Sequence, residues 1–127
     1  MTRTMKDLVA DANTRVETIS PDEANTMAAG GGLILDVREP GELETVGSIA
    51  GALNVPRGIL ETRADSSLDT AEAGLVDRRG NAPILVLCAA GGRAALAADT
   101  LRDMGYDAKV IQGGIAGWKS AGLPVEE

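Results

Sequence analysis

The chain has no histidine, no phenylalanine and a single cysteine among its 127 residues. Without histidine it cannot build a Cys–His dyad or a Ser–His–Asp triad. One cysteine excludes an internal disulfide, a Cys-x-x-Cys redox pair and a zinc site made of several cysteines. If that cysteine is a nucleophile, backbone dipoles and cations must therefore activate it.

Aromatic residues make up 2% of the chain and hydrophobic residues 44%, which predicts one globular domain with an aliphatic core. No apolar run approaches the length of a membrane span. The net charge of −7 argues against nucleic acids and anionic membranes as partners. Residues 1–15 do not resemble a secretory signal, and a free functional thiol suits a reducing interior, so we expect a cytoplasmic protein.

The most informative stretch is residues 84–96, which read as a buried strand, a tight loop and the start of a helix. Four β-favouring residues run into Cys88, and four small residues and Arg93 follow it. From Ala94 onward the apolar residues have helical spacing. The thiol is thus predicted at the carboxyl end of a strand, beside the amino end of a helix.

A helix amino terminus leaves backbone N–H groups unpaired and carries partial positive charge, so it favours a thiolate. Small residues allow several loop N–H groups to converge on one point. Arg93 could either hold the loop or bind an anionic substrate. The alternative is that Cys88 is an inert small hydrophobe that ends a core strand, but that role does not require a Gly-Gly-Arg loop.

Strands and helices alternate along the chain, which predicts an α/β fold with a mostly parallel sheet and helices on both faces. Ser20, Pro21 and Glu23 have the spacing of an N-cap, a first helical position and a capping box. Residues 1–15 are predicted to be a helical extension and residues 16–127 the domain. Residues 61–82 are polar and predict a surface connection, with one short helix over residues 69–76.

Three segments, in order along the chain, resemble the rhodanese-like sulfurtransferases. The Cys-Ala-Ala-Gly-Gly-Arg sequence of residues 88–93 resembles their six-residue active-site loop. Residues 36–56 are similar to the amino-terminal signature of the family, and residues 113–125 to its carboxyl-terminal ending. The family commonly has histidine where this chain has Ser48, but the sulfur chemistry does not depend on that residue.

The resemblance implies a single-domain, three-layer fold around a five-stranded sheet. It also implies transfer of a sulfane sulfur from thiosulfate or a low-molecular-weight persulfide to a thiol, cyanide or protein thiol acceptor, with neither metal nor cofactor. Cys88 would be catalytic, and Asp36 and Arg38 would be structural supports. The substrate-binding residues would be those of the loop: Ala89, Ala90, Gly91, Gly92 and Arg93. From its own position, Arg57 could point into the mouth of the site as a further substrate-binding residue, or it could be a solvated surface arginine.

Two other functions stay open at this stage. A cysteine phosphatase or arsenate reductase also holds a thiolate in an anion-binding loop, but related dual-specificity phosphatases have five residues between cysteine and arginine, and this chain has four. A non-catalytic adaptor is the second alternative, although the cysteine is present. Because Ala89 and Ala90 add no charge or hydroxyl to the loop, we expect modest thiosulfate activity and a less charged persulfide as the better donor.

Overall fold

Five short strands form one sheet in the computed structural model, which describes residues 2–127. The strands are β1 (Glu17–Ile19), β2 (Leu33–Asp36), β3 (Leu53–Asn54), β4 (Ile84–Leu87) and β5 (Ala108–Ile111). Their order is β1-β5-β4-β2-β3, and every pairing between them is parallel. This confirms the predicted α/β fold and brings the carboxyl ends of β2, β4 and β5 to one edge, where open parallel sheets bind their ligands.

Helices cover both faces of this sheet. They are α1 (Met5–Ala12), α2 (Pro21–Ala29), α3 (Pro40–Val46), α4 (Leu60–Ala64), α5 (Ala73–Val76), α6 (Gly92–Asp103) and α7 (Gly114–Ser120). Met1 belongs to the predicted amino-terminal extension but lies outside the described residues. None of the helices within residues 2–127 is both long and apolar enough to cross a bilayer.

Alternation along the strands builds a core on each face of the sheet. Ile84 and Val86 of β4 point to the core that contains α6, whereas Leu85 and Leu87 point to the core that contains Trp118 of α7. All four side chains of β4 are fully buried, as expected for the central strand of a parallel sheet. Alanines on α6, among them Ala94 and Ala98, let this helix lie close to the sheet without aromatic residues.

The predicted start of α2 is confirmed. Ser20 Oγ accepts from the Glu23 N–H at 3.1 Å, and the Glu23 carboxylate accepts from the Ser20 N–H at 3.2 Å. Pro21 is the first residue of α2. Together these contacts form the predicted capping box.

Most of residues 61–82 lie at the surface, as predicted, but a few of their side chains are buried. The helix predicted over residues 69–76 is shorter, since α5 covers only Ala73–Val76. Leu75 is nevertheless fully buried, as are Leu60 and Ala64 of α4. Tyr106 helps to hold this segment, because its hydroxyl donates to the Ala64 carbonyl at 2.7 Å. The segment reads as polar because only a few of its side chains reach the core.

Candidate active site

Cys88 directly follows β4, the strand in the middle of the sheet. Its side chain belongs to the core that contains α6, and the residue is 1% exposed. The loop after it leads into α6, which begins at Gly92, two residues earlier than the change in spacing at Ala94 predicts. The thiol therefore lies where the sequence predicts it, between a strand end and a helix start.

The Cys88 sulfur accepts two backbone hydrogen bonds. The Gly91 N–H donates to Sγ at 2.9 Å and the Ala94 N–H donates at 3.3 Å. Gly91 has φ +119°, in the left-handed region that favours glycine. This conformation lets residues 88–91 curl back so that the Gly91 N–H reaches the sulfur.

The sulfur also takes the place of a helix cap. Gly91 is the N-cap residue of α6 and has no side chain with which to accept from the first turn. Cys88 Sγ accepts instead from Ala94, the third residue of the helix, whose N–H is a usual partner of an N-cap side chain. Hydrogen bonds to the charged form, together with the helix dipole, favour negative charge on the sulfur. The arrangement can therefore stabilise a thiolate or a persulfide anion.

Gly114 presses against the backbone of the loop from the other side. A Cβ on this residue would lie 2.6 Å from the Ala89 carbonyl oxygen and even closer to that of Cys88. The Ile115 N–H donates to the Cys88 carbonyl at 2.8 Å. The close approach of Gly114 and this hydrogen bond hold the backbone of the cysteine in place.

Arg93 bonds to α3. Its guanidinium donates to both oxygens of Glu42, at 2.7 and 2.8 Å. The bidentate contact with Arg93 and a hydrogen bond from the Glu39 N–H lower the pKa of Glu42 to about 2. The same ion pair raises the pKa of Arg93. These contacts tie the loop to α3 and neutralise the charge of Arg93, as a brace would. The substrate-binding role of Arg93 stays a prediction.

Sequence reasoning assigned no role to Glu42. The available signal was its position three residues after Glu39, at the third position of a helix that begins with Pro40. That spacing predicts a capping box, which the structure contains, but it does not reveal a partner 51 residues away.

Asp36 and Arg38 form a buried ion pair beside the site. Arg38 donates to both carboxylate oxygens of Asp36, at 3.0 and 2.7 Å, and also to the Gly47 carbonyl at 2.9 Å. Both residues are fully buried. The pair thus ties the end of β2 to the turn after α3, the helix that carries Glu42. Within residues 2–127, Arg38 Nη1 has no hydrogen-bond partner.

Arg57 is directed toward the later part of α6. Its guanidinium donates to the Glu61 carboxylate at 2.9 Å and to the Thr100 hydroxyl at 3.2 Å. Thr100 is eight residues, about two turns, beyond Gly92 at the start of the helix. The substrate-binding role of Arg57 remains a prediction that these contacts do not support.

The remaining residues of the loop place no charged side chain around Cys88. Ala89 is half-buried, Ala90 is exposed, and Gly92 opens α6. Among the residues from 2 to 127, no group of three or more histidine, cysteine, aspartate or glutamate side chains is placed to hold a metal ion. The chemistry available at the loop is therefore that of one sulfur atom in a cradle of backbone N–H groups.

Comparison with known proteins adds a family-level finding. The profile of the rhodanese-like domain family matches residues 20–121. An HTH-type transcriptional regulator of Mycobacterium tuberculosis is 32% identical over 120 residues, which cover 92% of this chain and 45% of the regulator. The chain thus spans less than half the length of that curated relative.

Two solved structures share the fold. One is a protein of unknown function from Rhodopseudomonas palustris, described as a possible tyrosine phosphatase. It is 34% identical with a TM-score of 0.90, and the match covers 99% of this chain and 96% of that one. The other, a probable thiosulfate sulfurtransferase, is 30% identical with a TM-score of 0.63, and the match covers 87% of this chain and 47% of that one.

Proposed function

The chain belongs to the rhodanese-like domain family, and from that premise we propose that it is a sulfurtransferase that carries a sulfane sulfur on Cys88. The observation that carries the proposal is the pair of backbone N–H groups, of Gly91 and Ala94, that donate to Sγ at the start of α6. Such donors stabilise an anionic sulfur without histidine, which this chain lacks.

The reaction has two steps. The Cys88 thiolate attacks the sulfane sulfur of the donor, the bond between that sulfur and the rest of the donor breaks, and the remnant leaves with the electron pair. The enzyme is then a persulfide. A thiol or cyanide acceptor attacks the outer sulfur, the S–S bond breaks, and the electron pair returns to Sγ as the thiolate. This is covalent, ping-pong catalysis with no change in the net oxidation state.

The ion pair between Arg93 and Glu42 supports a preference among donors. Thiosulfate is a dianion, and the arginine that ends the loop is already neutralised by a bidentate carboxylate. Ala89 and Ala90 add no cation. We therefore expect a measurable but modest rate with thiosulfate and a higher rate with a less charged persulfide.

The neighbour described as a probable thiosulfate sulfurtransferase supports the same reaction class. The acceptor is a small thiol, cyanide or a protein thiol, and no nucleic acid or membrane takes part. The reaction requires a free thiol, which fits the reducing cytoplasm.

Intact-protein mass spectrometry tests the proposal. Wild type and Cys88→Ser are incubated with thiosulfate and, separately, with glutathione persulfide, and both are measured without reductant. We expect wild type alone to gain one sulfur atom, and to gain it faster from glutathione persulfide. If wild type gains no sulfur from either donor, the sulfurtransferase proposal is wrong and the adaptor function takes its place.

A phosphatase is the second candidate, because the Rhodopseudomonas palustris neighbour is described as a possible tyrosine phosphatase. Two observations favour sulfur transfer over it. Only four residues separate Cys88 from Arg93, and Arg93 is bound to Glu42. A phosphatase would need that loop to enclose a tetrahedral oxyanion. Release of phosphate from an aryl phosphate by wild type, lost in Cys88→Ser, would reinstate the phosphatase.

A further inference from the structure

Arg93 belongs to the active-site loop, and its charge acts directly on the sulfur. It lies in the sequence between Gly91 and Ala94, whose N–H groups donate to Cys88 Sγ at 2.9 and 3.3 Å. Hydrogen bonds to Glu42 raise the pKa of Arg93 most, and negative charge on Cys88 raises it further. The guanidinium and the sulfur are therefore close enough for their charges to interact.

Glu42 occupies the N–H groups with which Arg93 would bind an anionic donor. Both terminal nitrogens of the guanidinium donate to the carboxylate, at 2.7 and 2.8 Å. A guanidinium uses the same planar fork to bind two oxygens of any oxyanion. The sulfonate end of thiosulfate must therefore displace the Glu42 carboxylate before it can pair with Arg93.

The Glu42 carboxylate is held by α3 as well as by Arg93. Glu42 is the third residue of this helix, and its Oε2 accepts from the Glu39 N–H at 2.8 Å. The bonds from Arg93 and from the Glu39 N–H lower the pKa of Glu42 to about 2. The carboxylate thus stays ionised near neutral pH, and protonation does not release Arg93 there.

Two ion pairs beside the sulfur form one cluster whose formal charges sum to zero. Asp36 and Arg38 are the fully buried pair, and Glu42 and Arg93 are the half-buried pair, each side chain being 32% exposed. The pairs interact, because Arg38 also lowers the pKa of Glu42 and Asp36 also raises that of Arg93. Removal of the charge of Glu42 would leave the cluster with one net positive charge.

We propose that Glu42 determines the donor specificity of this site by cancelling the charge of Arg93, so that the enzyme disfavours donors with two negative charges next to the transferred sulfur. The proposal rests on the proposed function and adds the residue that selects the donor. The favoured donors carry the sulfane sulfur on a group with at most one negative charge at that end. Glu42 acts through Arg93 and touches no reacting atom.

Two donors of nearly the same size differ by one charge. Thiosulfate loses its sulfane sulfur to the Cys88 thiolate and leaves as sulfite, a dianion. Methanethiosulfonate has a methyl group in place of one oxygen, and it leaves as methanesulfinate, a monoanion. In both reactions the S–S bond of the donor breaks and the leaving group keeps the electron pair. Intact-protein mass spectrometry gives the rate of sulfur gain from each donor, and the ratio of the thiosulfate rate to the methanethiosulfonate rate is compared between variants.

Glu42→Gln changes one charge and keeps the shape of the side chain. Glutamine also fits the third position of a capping box, so it still accepts from the Glu39 N–H. We expect the rate ratio to rise about 3- to 10-fold, the gain from one charge-assisted contact at a partly exposed site. Added salt should then lower the thiosulfate rate of this variant more steeply than that of wild type, because its loading depends on an uncompensated cation.

Two further variants serve as controls. Glu17→Gln also removes one carboxylate from an ion pair, since Glu17 binds Lys109 at 2.9 Å. Glu17 is the first residue of β1 and so lies at the amino edge of the parallel sheet, away from the loop. Its rate ratio should equal that of wild type. The double variant Glu42→Gln/Arg93→Gln removes the cation as well, and we expect it to lose the gain.

The outcomes separate the two proposals. If wild type gains no sulfur from either donor, the sulfurtransferase proposal fails and the role of Glu42 fails with it. If wild type gains sulfur but Glu42→Gln keeps the wild-type ratio, only the role of Glu42 is wrong. A gain that persists in the double variant would show direct repulsion between Glu42 and the donor, and an equal gain in Glu17→Gln would show an effect of net charge. Either of these results overturns the proposal.

Discussion

Replacing Gly114 with alanine tests how the active-site loop is held in place. Gly114 has φ +58°, and a Cβ added there would meet the carbonyl oxygens of Cys88 and Ala89, the latter at 2.6 Å. Both obstacles are backbone atoms of the loop, so no flexible side chain can move aside. Either the loop or the start of α7 must shift, and the hydrogen bond from the Ile115 N–H to the Cys88 carbonyl must lengthen or break.

Three costs add up in this variant. A left-handed backbone conformation costs a residue other than glycine about 1–2 kcal/mol. Steric overpacking in a filled site costs about 1–3 kcal/mol. A lost hydrogen bond costs about 0.5–1.5 kcal/mol. We therefore expect Gly114→Ala to lower the free energy of unfolding by about 2.5–6.5 kcal/mol, a large part of the stability of a typical domain.

Gly122→Ala is the matched control for this experiment. Gly122 has φ +79°, but no atom lies within 4 Å of the position its Cβ would take. Only the conformational cost applies, about 1–2 kcal/mol. Urea unfolding gives both free energies, and mass spectrometry gives the sulfur gained by each folded variant. We expect Gly114→Ala to lose sulfur loading as well. Equal destabilisation by the two variants would refute the steric argument.

Three further changes probe the supports of the site and of the fold. Asp36→Asn leaves the buried Arg38 guanidinium without its carboxylate, and we expect it to lower the free energy of unfolding in urea by about 3–5 kcal/mol. A decrease below about 1 kcal/mol would contradict the buried ion pair. Glu42→Gln removes the partner of Arg93. Because the Glu42 side chain is 32% exposed, we expect this change to lower the free energy of unfolding by only about 1 kcal/mol near neutral pH. The folded-state pKa of Glu42 lies below its ordinary value of 4.5, so this contribution is present above that pH and disappears as pH falls through about 2. Unfolding curves of wild type and Glu42→Gln should therefore converge over that range, and a constant gap would refute the assignment. Ser20→Ala removes the N-cap of α2 and should lower the free energy of unfolding, measured by thermal unfolding, by about 1 kcal/mol. An unchanged melting temperature would show that the cap contributes nothing.

The site was predictable where neighbours in sequence are neighbours in space. A buried strand that ends at Cys88 and a helix that starts a few residues later place the thiol at a helix amino terminus, whatever the rest of the chain does. The capping box of Ser20 and Glu23 was predictable for the same reason, because its contacts span three residues.

Contacts between distant segments could not be predicted in the same way. Arg93 pairs with Glu42 because α3, which follows the neighbouring strand β2, lies beside the start of α6. Arg57 contacts Thr100, 43 residues away, although its sequence context allowed either the mouth of the site or a solvated surface position. In both cases the strand order decides which side chains meet.

The local chemistry of the site can be read directly from the residues: one thiol, no imidazole, a loop of small residues, and a helix whose first N–H groups need an acceptor. Only the packing of distant segments shows that Arg93 pairs with Glu42 and that Val9 of α1 lines an uncharged cleft beside the loop. The difference between these two groups of features is the separation along the chain of the residues that interact. Hydrogen bonds within a turn follow from the residues of that turn, whereas ion pairs and clefts between segments depend on how the sheet brings those segments together.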